Sequence, residues 1–164
     1  MYYTRFNTRI CEILLVGDEK GLARLHLNTG EGGRQFKIND TWIARPDFFE
    51  YIKAQVMEYL DGKRRVFAVD LNTKGTDFQK AVWEGLRKIP YGRRVTYGDI
   101  AKALGKKKAC RAVGGACGKN PVPLITPCHR VIGANGNLTG FGSGLAIKKK
   151  LIALEKGSAP FLRG

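Results

Sequence analysis

The stretch Thr96-Tyr97-Gly98-Asp99-Ile100-Ala101-Lys102-Ala103-Leu104-Gly105-Lys106-Lys107-Lys108-Ala109-Cys110-Arg111-Ala112-Val113-Gly114-Gly115-Ala116-Cys117-Gly118 reads as two short helices joined by a brief turn. Thr96-Tyr97-Gly98-Asp99 is a helix start; Ile100, Ala101 and Leu104 line its apolar side before Gly105 ends it. Lys106-Lys107-Lys108 makes the turn, and the next helix runs from about Ala109 to Gly118. This is the helix-turn-helix pattern. Its second helix is odd for a reader of base edges, because Ala112-Val113-Gly114-Gly115-Ala116 has no Arg, Asn or Gln to offer them. Small residues instead let a helix backbone press close to a groove floor or a sugar-phosphate wall. The plainer alternative is tight packing against another helix, since glycine inside a helix costs about 1 kcal/mol relative to alanine and needs some reason to be there. Arg111 is the one long polar side chain at the start of this helix, placed either to contact a phosphate or to push into a base stack. The pattern favours sequence-independent binding.

Upstream, Thr76-Asp77-Phe78-Gln79 is a capping box, and Phe78, Val82, Leu86 and Ile89 follow down one helical face until Pro90. Downstream, Leu145, Ile147, Leu151 and Leu154 describe a C-terminal helix. The first part of the chain reads differently. Ile10–Val16 and Leu22–Leu27 are strand-like and flank the hairpin signal Asp18-Glu19-Lys20-Gly21. Pro46 opens a helix carrying Phe48, Phe49, Ile52, Val56, Tyr59 and Leu60, stopped at Gly62. Val66–Val69 reads as a further strand and Asn72–Gly75 as a linker. The fold class is therefore α+β: a small α/β lobe over residues 1–72, a mainly helical lobe over 76–157, and a flexible tail from Ser158 to Gly164.

Charge separates the same two halves. Residues 1–75 hold 12 Lys and Arg against 10 Asp and Glu, whereas residues 76–164 hold 17 against 4. A surface made basic only for solubility would carry its charge on both halves, so the second half is the expected polyanion-binding face. Cys11, Cys110, Cys117 and Cys128 form neither a CxxC knuckle nor a dense disulfide framework, and Cys110 and Cys117 lie too far apart along one helix to bridge. No signal peptide opens the chain and no apolar run approaches membrane length. These features predict no membrane partner and a reducing cytoplasmic setting, or the nucleus in a eukaryote.

Pro127-Cys128-His129-Arg130 carries the chemistry. A cysteine beside a histidine can be ionised near neutral pH, and the thiolate is the nucleophile. Two plainer readings stand beside this one. A lone cysteine is most often a buried structural residue, and neighbours on a strand point to opposite faces. A cysteine hydrolase would need a separate histidine and an orienting group. His26, the only other histidine, lies in a strand-like segment of the first lobe. Acids are scarce in the basic half, and Glu155 stands out among Leu151, Ile152 and Leu154, because a carboxylate on an apolar face is normally paired. Glu155 is the expected partner of His129.

The run from Asn120 to Gly133, with Pro127-Cys128-His129-Arg130 at its core, resembles the active-site signature of the O6-alkylguanine-DNA alkyltransferases, the methylated-DNA–protein-cysteine methyltransferases. The likeness spans about residues 76–157, through Phe78-Gln79, Val95-Thr96-Tyr97, Arg111–Ala116, Gly144-Leu145-Ala146 and Leu151–Glu155. It implies a winged helix-turn-helix-like DNA-binding and alkyl-transfer domain over 76–157 and a small RNase-H-like structural domain over 1–72. Such proteins bind alkylated duplex DNA through the minor groove and flip the damaged base into a pocket. On this chain the resemblance makes Cys128 the alkyl acceptor, activated through water by His129, which Glu155 orients. Tyr97 would ease rotation past the 3′ phosphate and donate a proton to the departing guanine. Arg111 would take the vacated place in the stack. Asn120 would brace the turn before the active site, and the Cys128 and Val131 carbonyls would accept from the guanine amine. The DNA-facing set is Thr96, Tyr97, Lys106, Lys107, Lys108, Arg111, Ala112, Gly114 and Gly115, with Arg130 in a structural hydrogen-bonding role.

The chain departs from the family pattern at a few positions. Thr126 stands where Ile or Val is usual. Gly142 replaces a serine that donates to O6 in some members, which leaves that contact to the backbone or to Ser143. Cys11 and His26 alone do not match the zinc set of some relatives, so no metal and no cofactor are expected. The implied activity is irreversible, single-turnover transfer from O6-alkylguanine, with O4-alkylthymine left open, by a monomer whose cooperativity on DNA is also open. Rival readings are a non-catalytic sensor of alkylated bases, which would lack the cysteine; a transcriptional regulator, which would need base-reading side chains; and the cysteine hydrolase. If Lys106, Lys107 and Lys108 meet phosphates, replacing all three with neutral residues should reduce the slope of log K against log salt by about 0.9 for each phosphate no longer neutralised. An unchanged slope in a duplex-binding titration would remove them from the interface.

Overall fold

The hairpin at Asp18–Gly21 lies within a four-stranded sheet. The computed structural model describes residues 1–31, 36–138 and 140–157; the tail expected at 158–164 lies outside the described residues. Strands β1 (Tyr2–Asn7), β2 (Glu12–Asp18), β3 (Gly21–Asn28) and the two-residue β4 (Ile43–Ala44) run in the order β3-β2-β1-β4. Only the β1–β4 pairing is parallel. Strand β2 is flanked on both sides, and Ile13 to Gly17 are all buried, which accounts for its unbroken apolar run. The sequence pattern does not single out β1, whose buried face is only Thr4 and Phe6 between polar neighbours.

A 3-10 turn at Pro46–Phe49 leads into α1 (Glu50–Leu60), which buries Gln55, Val56, Tyr59 and Leu60. Val66–Val69 is not a strand, contrary to its β-branched composition. The Gln55 side chain satisfies the Ala68 peptide at both ends, accepting from its N–H at 2.8 Å and donating to its carbonyl at 3.1 Å. With those groups taken and Val66 75% exposed, the segment has no sheet to join. Only Leu71 bridges to the sheet, in parallel with Leu22. The outer edge of β3 is thereby closed: Leu22 donates to Asp70 and accepts from Asn72, and Leu25 donates to the Pro121 carbonyl of the second lobe. The Asn72–Gly75 crossing is packed as well, since a β-carbon on Gly75 would sit 2.5 Å from the Trp83 ring.

The second lobe follows its local signals. Helix α2 (Asp77–Arg87) starts with both bonds of the Thr76–Gln79 capping box and buries Val82, Trp83 and Leu86. Strand β5 (Val95–Thr96) runs into α3 (Tyr97–Ala103), which has its own reciprocal box between Thr96 and Asp99. After a turn at Gly105 (φ +71°), α4 (Cys110–Gly118) packs on α2 and α3, and Trp83 Nε1 donates to the Ala116 carbonyl at 2.9 Å. A 3-10 turn at Cys128–Arg130 leads into β6 (Val131–Ile132), which pairs in parallel with β5, and α5 (Leu145–Glu155) closes the lobe. One continuous apolar core runs through both lobes.

Gly21 has φ +144°, and a β-carbon there would lie 2.7 Å from the Asp70 carbonyl oxygen. Gly21→Ala should destabilise the protein by about 1–3 kcal/mol, read from the urea midpoint; a midpoint equal to wild type would show that the β3 edge can shift.

Candidate active site

The chain reaches Cys128 through a stiff, fully bonded turn. Asn120 is buried; its side chain accepts from the Val122 N–H at 3.0 Å and donates to the Thr126 carbonyl at 2.7 Å. Between them Leu124 holds a left-handed backbone (φ +75°), an arrangement a leucine keeps only where its surroundings demand it. The Thr126 N–H closes back on the Val122 carbonyl, and the Thr126 hydroxyl accepts from Arg87 at 3.0 Å. That bond gives the departure from Ile or Val a use, because the threonine anchors a cation on α2. The Cys128 N–H donates to the Thr126 carbonyl, so the thiol-bearing turn is fixed from its N-terminal side.

His129 and Glu155 meet although 26 residues separate them: Nε2 lies 2.5 Å from Oε2, and both side chains are buried. The carboxylate is crowded with further donors. Arg130 binds it through Nε at 2.8 Å and its terminal nitrogen at 3.1 Å, while its other nitrogen donates to the Ile89 carbonyl. The Gly92 N–H donates at 3.0 Å, and Tyr59 Oη donates at 2.5 Å. Burial works to raise the Glu155 pKa, but hydrogen bonds from His129 and Arg130 dominate and hold it far below the usual carboxylate range. Burial lowers the His129 pKa, only partly opposed by Glu155. An ionised carboxylate beside a neutral imidazole puts the ring proton on Nε2. His129 Nδ1 is then a lone-pair acceptor, and it is fully buried with no hydrogen-bond partner among the described residues.

The other residues expected at the site lie on β6, just before α5, or along α3 and α4. Val131 is buried on β6, and the Ser143 carbonyl accepts from the Thr29 hydroxyl of the first lobe at 2.7 Å. Thr96 spends its hydroxyl on capping α3. Lys106, Lys107 and Lys108 are exposed at the turn, with the Lys106 ammonium 5.2 Å from the Phe78 ring centre. Arg111, Ala112, Gly115, Gly118 and Lys119 form one exposed face of α4 at helical spacing. A β-carbon on Gly115 or Gly118 would meet nothing within 4 Å, and one on Gly114 would meet only the Tyr97 ring, at 3.9 Å. Tight packing between helices therefore does not explain these glycines; they leave a smooth open face with Tyr97 beside it.

Three members of this group are not evident in the sequence. Tyr59 reads there only as part of an apolar stripe. Lys148 is fully buried on α5, where burial lowers its pKa and the Cys128 and Cys117 thiols pull the other way. Its spacing of three and seven residues from Leu151 and Glu155 was the available signal. Cys117 is buried, and its thiol is pushed up to about 12 by burial, with Cys128 adding to the rise.

Comparisons with known proteins place this arrangement of a buried thiol-bearing turn, a histidine–glutamate pair and a helix-turn-helix in one family. Residues 77–157 match the model of the 6-O-methylguanine DNA methyltransferase DNA-binding domain, and residues 1–73 match the ribonuclease-like domain of the same proteins. The chain is 48% identical over 155 residues to a methylated-DNA–protein-cysteine methyltransferase of Methanosarcina acetivorans, covering 94% of this chain and 98% of the relative. It is 40% identical over 158 residues to the constitutive one of Bacillus subtilis, covering 94% and 95%. Among solved structures, Mycobacterium tuberculosis OGT in complex with DNA superposes with a TM-score of 0.91 at 39% identity, covering 98% of this chain and 96% of that one. The chain belongs to the 6-O-methylguanine DNA methyltransferase family.

Both shifts in the His129–Glu155 pair act in one direction on stability. The unfolded chain takes up these protons near about pH 6.5 and 4.3, and the folded chain only at lower pH. The stability they contribute is full above about pH 6.5 and is lost as pH falls through the folded values. The melting temperature should therefore fall on acidification from pH 7.5 to 4. Glu155→Gln should flatten the acid part of that fall while costing about 3–5 kcal/mol, because Arg130 is left buried without its charge partner. A Glu155→Gln profile parallel to wild type would contradict the assignment.

Proposed function

We propose that this chain is a DNA repair protein that moves the alkyl group of O6-alkylguanine onto its own Cys128 in one irreversible turnover. The observation that carries the reading is the neutral His129 with its unpartnered Nδ1, held by a fully bonded Glu155 beside Cys128. In the proposed step, a water hydrogen-bonded to Nδ1 relays the Cys128 proton to the imidazole. The thiolate sulfur attacks the O6-bound alkyl carbon, a carbon–sulfur bond forms and the carbon–oxygen bond breaks. The electron pair leaves with the guanine, and the Tyr97 hydroxyl supplies its proton. The product is a thioether that water does not cleave, so the protein acts once, with no cofactor.

The open face of α4 supports a minor-groove approach in which backbone rather than side chains meets the duplex. Arg111, at its first turn, fills the place of the flipped base, and the Val131 carbonyl and Ser143 border the pocket. The Lys106–Lys108 turn adds phosphate contacts, and the protein binds as a monomer. Four cysteines outside any disulfide suit a reducing compartment, the cytoplasm.

Incubation with a duplex carrying O6-methylguanine should add one methylene to the peptide containing Cys128, one per protein, after which the reaction stops. Cys128→Ala should remove the gain and keep duplex binding. Multiple turnover, or alkylation at another residue, would contradict the reading.

A further inference from the structure

We infer that Tyr59 is a positioning residue of the alkyl-transfer site, supplied by the N-terminal lobe to set the proton affinity of His129. This rests on the reading of His129 as the base that receives the Cys128 proton. Tyr59 lies on α1, 70 residues before the histidine in sequence, and its side chain is completely buried. Its hydroxyl donates to Glu155 Oε2 at 2.5 Å, the same oxygen that takes the His129 Nε2 proton, and lies 3.2 Å from Nε2 itself. The three polar groups form a closed triangle, so the tyrosine competes directly with the imidazole for one carboxylate oxygen.

The ring is held independently of the hydroxyl. It packs 5.4 Å from Phe67 and 6.1 Å from Tyr91, with His129 at 6.4 Å, centre to centre. Removing the hydroxyl alone leaves that packing in place. The phenol also stays protonated: burial and the Glu155 charge both raise its pKa well above the ordinary value, so it is a permanent donor. A permanent donor draws charge from the carboxylate and weakens its hold on a protonated imidazole. The charged groups that bear on the histidine act in both directions: Glu155 raises its pKa, while Arg130 and Lys148 lower it. Glu155 and Lys148 come from α5, Arg130 and Cys128 flank the histidine in the chain, and Tyr91 packs against Tyr59 from the segment after α2. Of these only Tyr59 belongs to the first lobe, so the lobe that carries no nucleophile reaches the proton relay through one hydroxyl.

The first lobe thereby takes a part in the chemistry besides packing. A protonated His129 cannot accept the thiol proton, so the transfer rate has an acid limb at the histidine pKa. Without the Tyr59 hydroxyl, Glu155 binds imidazolium more strongly and the limb rises. The test is the single-turnover transfer rate from an O6-methylguanine duplex, measured from pH 5 to 8 on the full chain. Tyr59→Phe should move the limb up by about one pH unit and slow transfer roughly tenfold on that limb. A second variant carrying 3-fluorotyrosine at position 59 alone donates more strongly and should move the limb down. A limb that stays in place in both variants, even with a lower melting temperature, would overturn the positioning role and leave Tyr59 a packing residue. Failure of wild type to alkylate Cys128 would instead refute the underlying reading of the site.

Discussion

The structure depends on keeping the Glu155 carboxylate charged inside the core. Five donors meet its two oxygens: Tyr59 Oη, His129 Nε2, two nitrogens of Arg130, and the Gly92 N–H. A buried carboxylate with fewer partners would take up a proton, and the imidazole would lose the partner that fixes its tautomer. Each donor comes from a segment whose own placement must be secured. Tyr59 needs α1 and the first lobe; Arg130 needs the bonded turn from Asn120; Gly92, with φ +80°, needs the end of α2. Fold and chemistry thus converge on one group.

The two lobes divide the work by chemical character. The first supplies a sheet, a closed β3 edge and the Thr29 and Tyr59 contacts. The second supplies the thiol, the histidine and the open helix face. Bonds from Leu25 to Pro121 and from Thr29 to Ser143 tie the first lobe to the segments on either side of Cys128. Beside these ties, one apolar core shared by both lobes carries the bulk of the attachment.

Much of this could be read in the chain because the signals are local. Thr76 with Gln79, and Thr96 with Asp99, announced two helix starts that formed with both reciprocal bonds. Glu155 was visible as a carboxylate among leucines, and its partner lay next to the only thiol with an adjacent imidazole. Tyr59 was not visible, because a tyrosine in an apolar stripe looks the same with or without a partner 96 residues away. Val66–Val69 misled for a related reason. Its composition suits a strand, yet a glutamine on α1 takes both backbone groups of Ala68 at its middle. Long-range side-chain bonds leave no periodic trace.

The proposed chemistry turns on His129 resting as a neutral imidazole with its proton on Nε2 and its Nδ1 lone pair available. Nitrogen-15 NMR of the His129 ring at pH 7, in protein with labelled histidine, reads this directly. The ring should show a protonated Nε2 and an unprotonated Nδ1, with that signature lost in Glu155→Gln. A ring protonated on both nitrogens, or on Nδ1 alone, would contradict it.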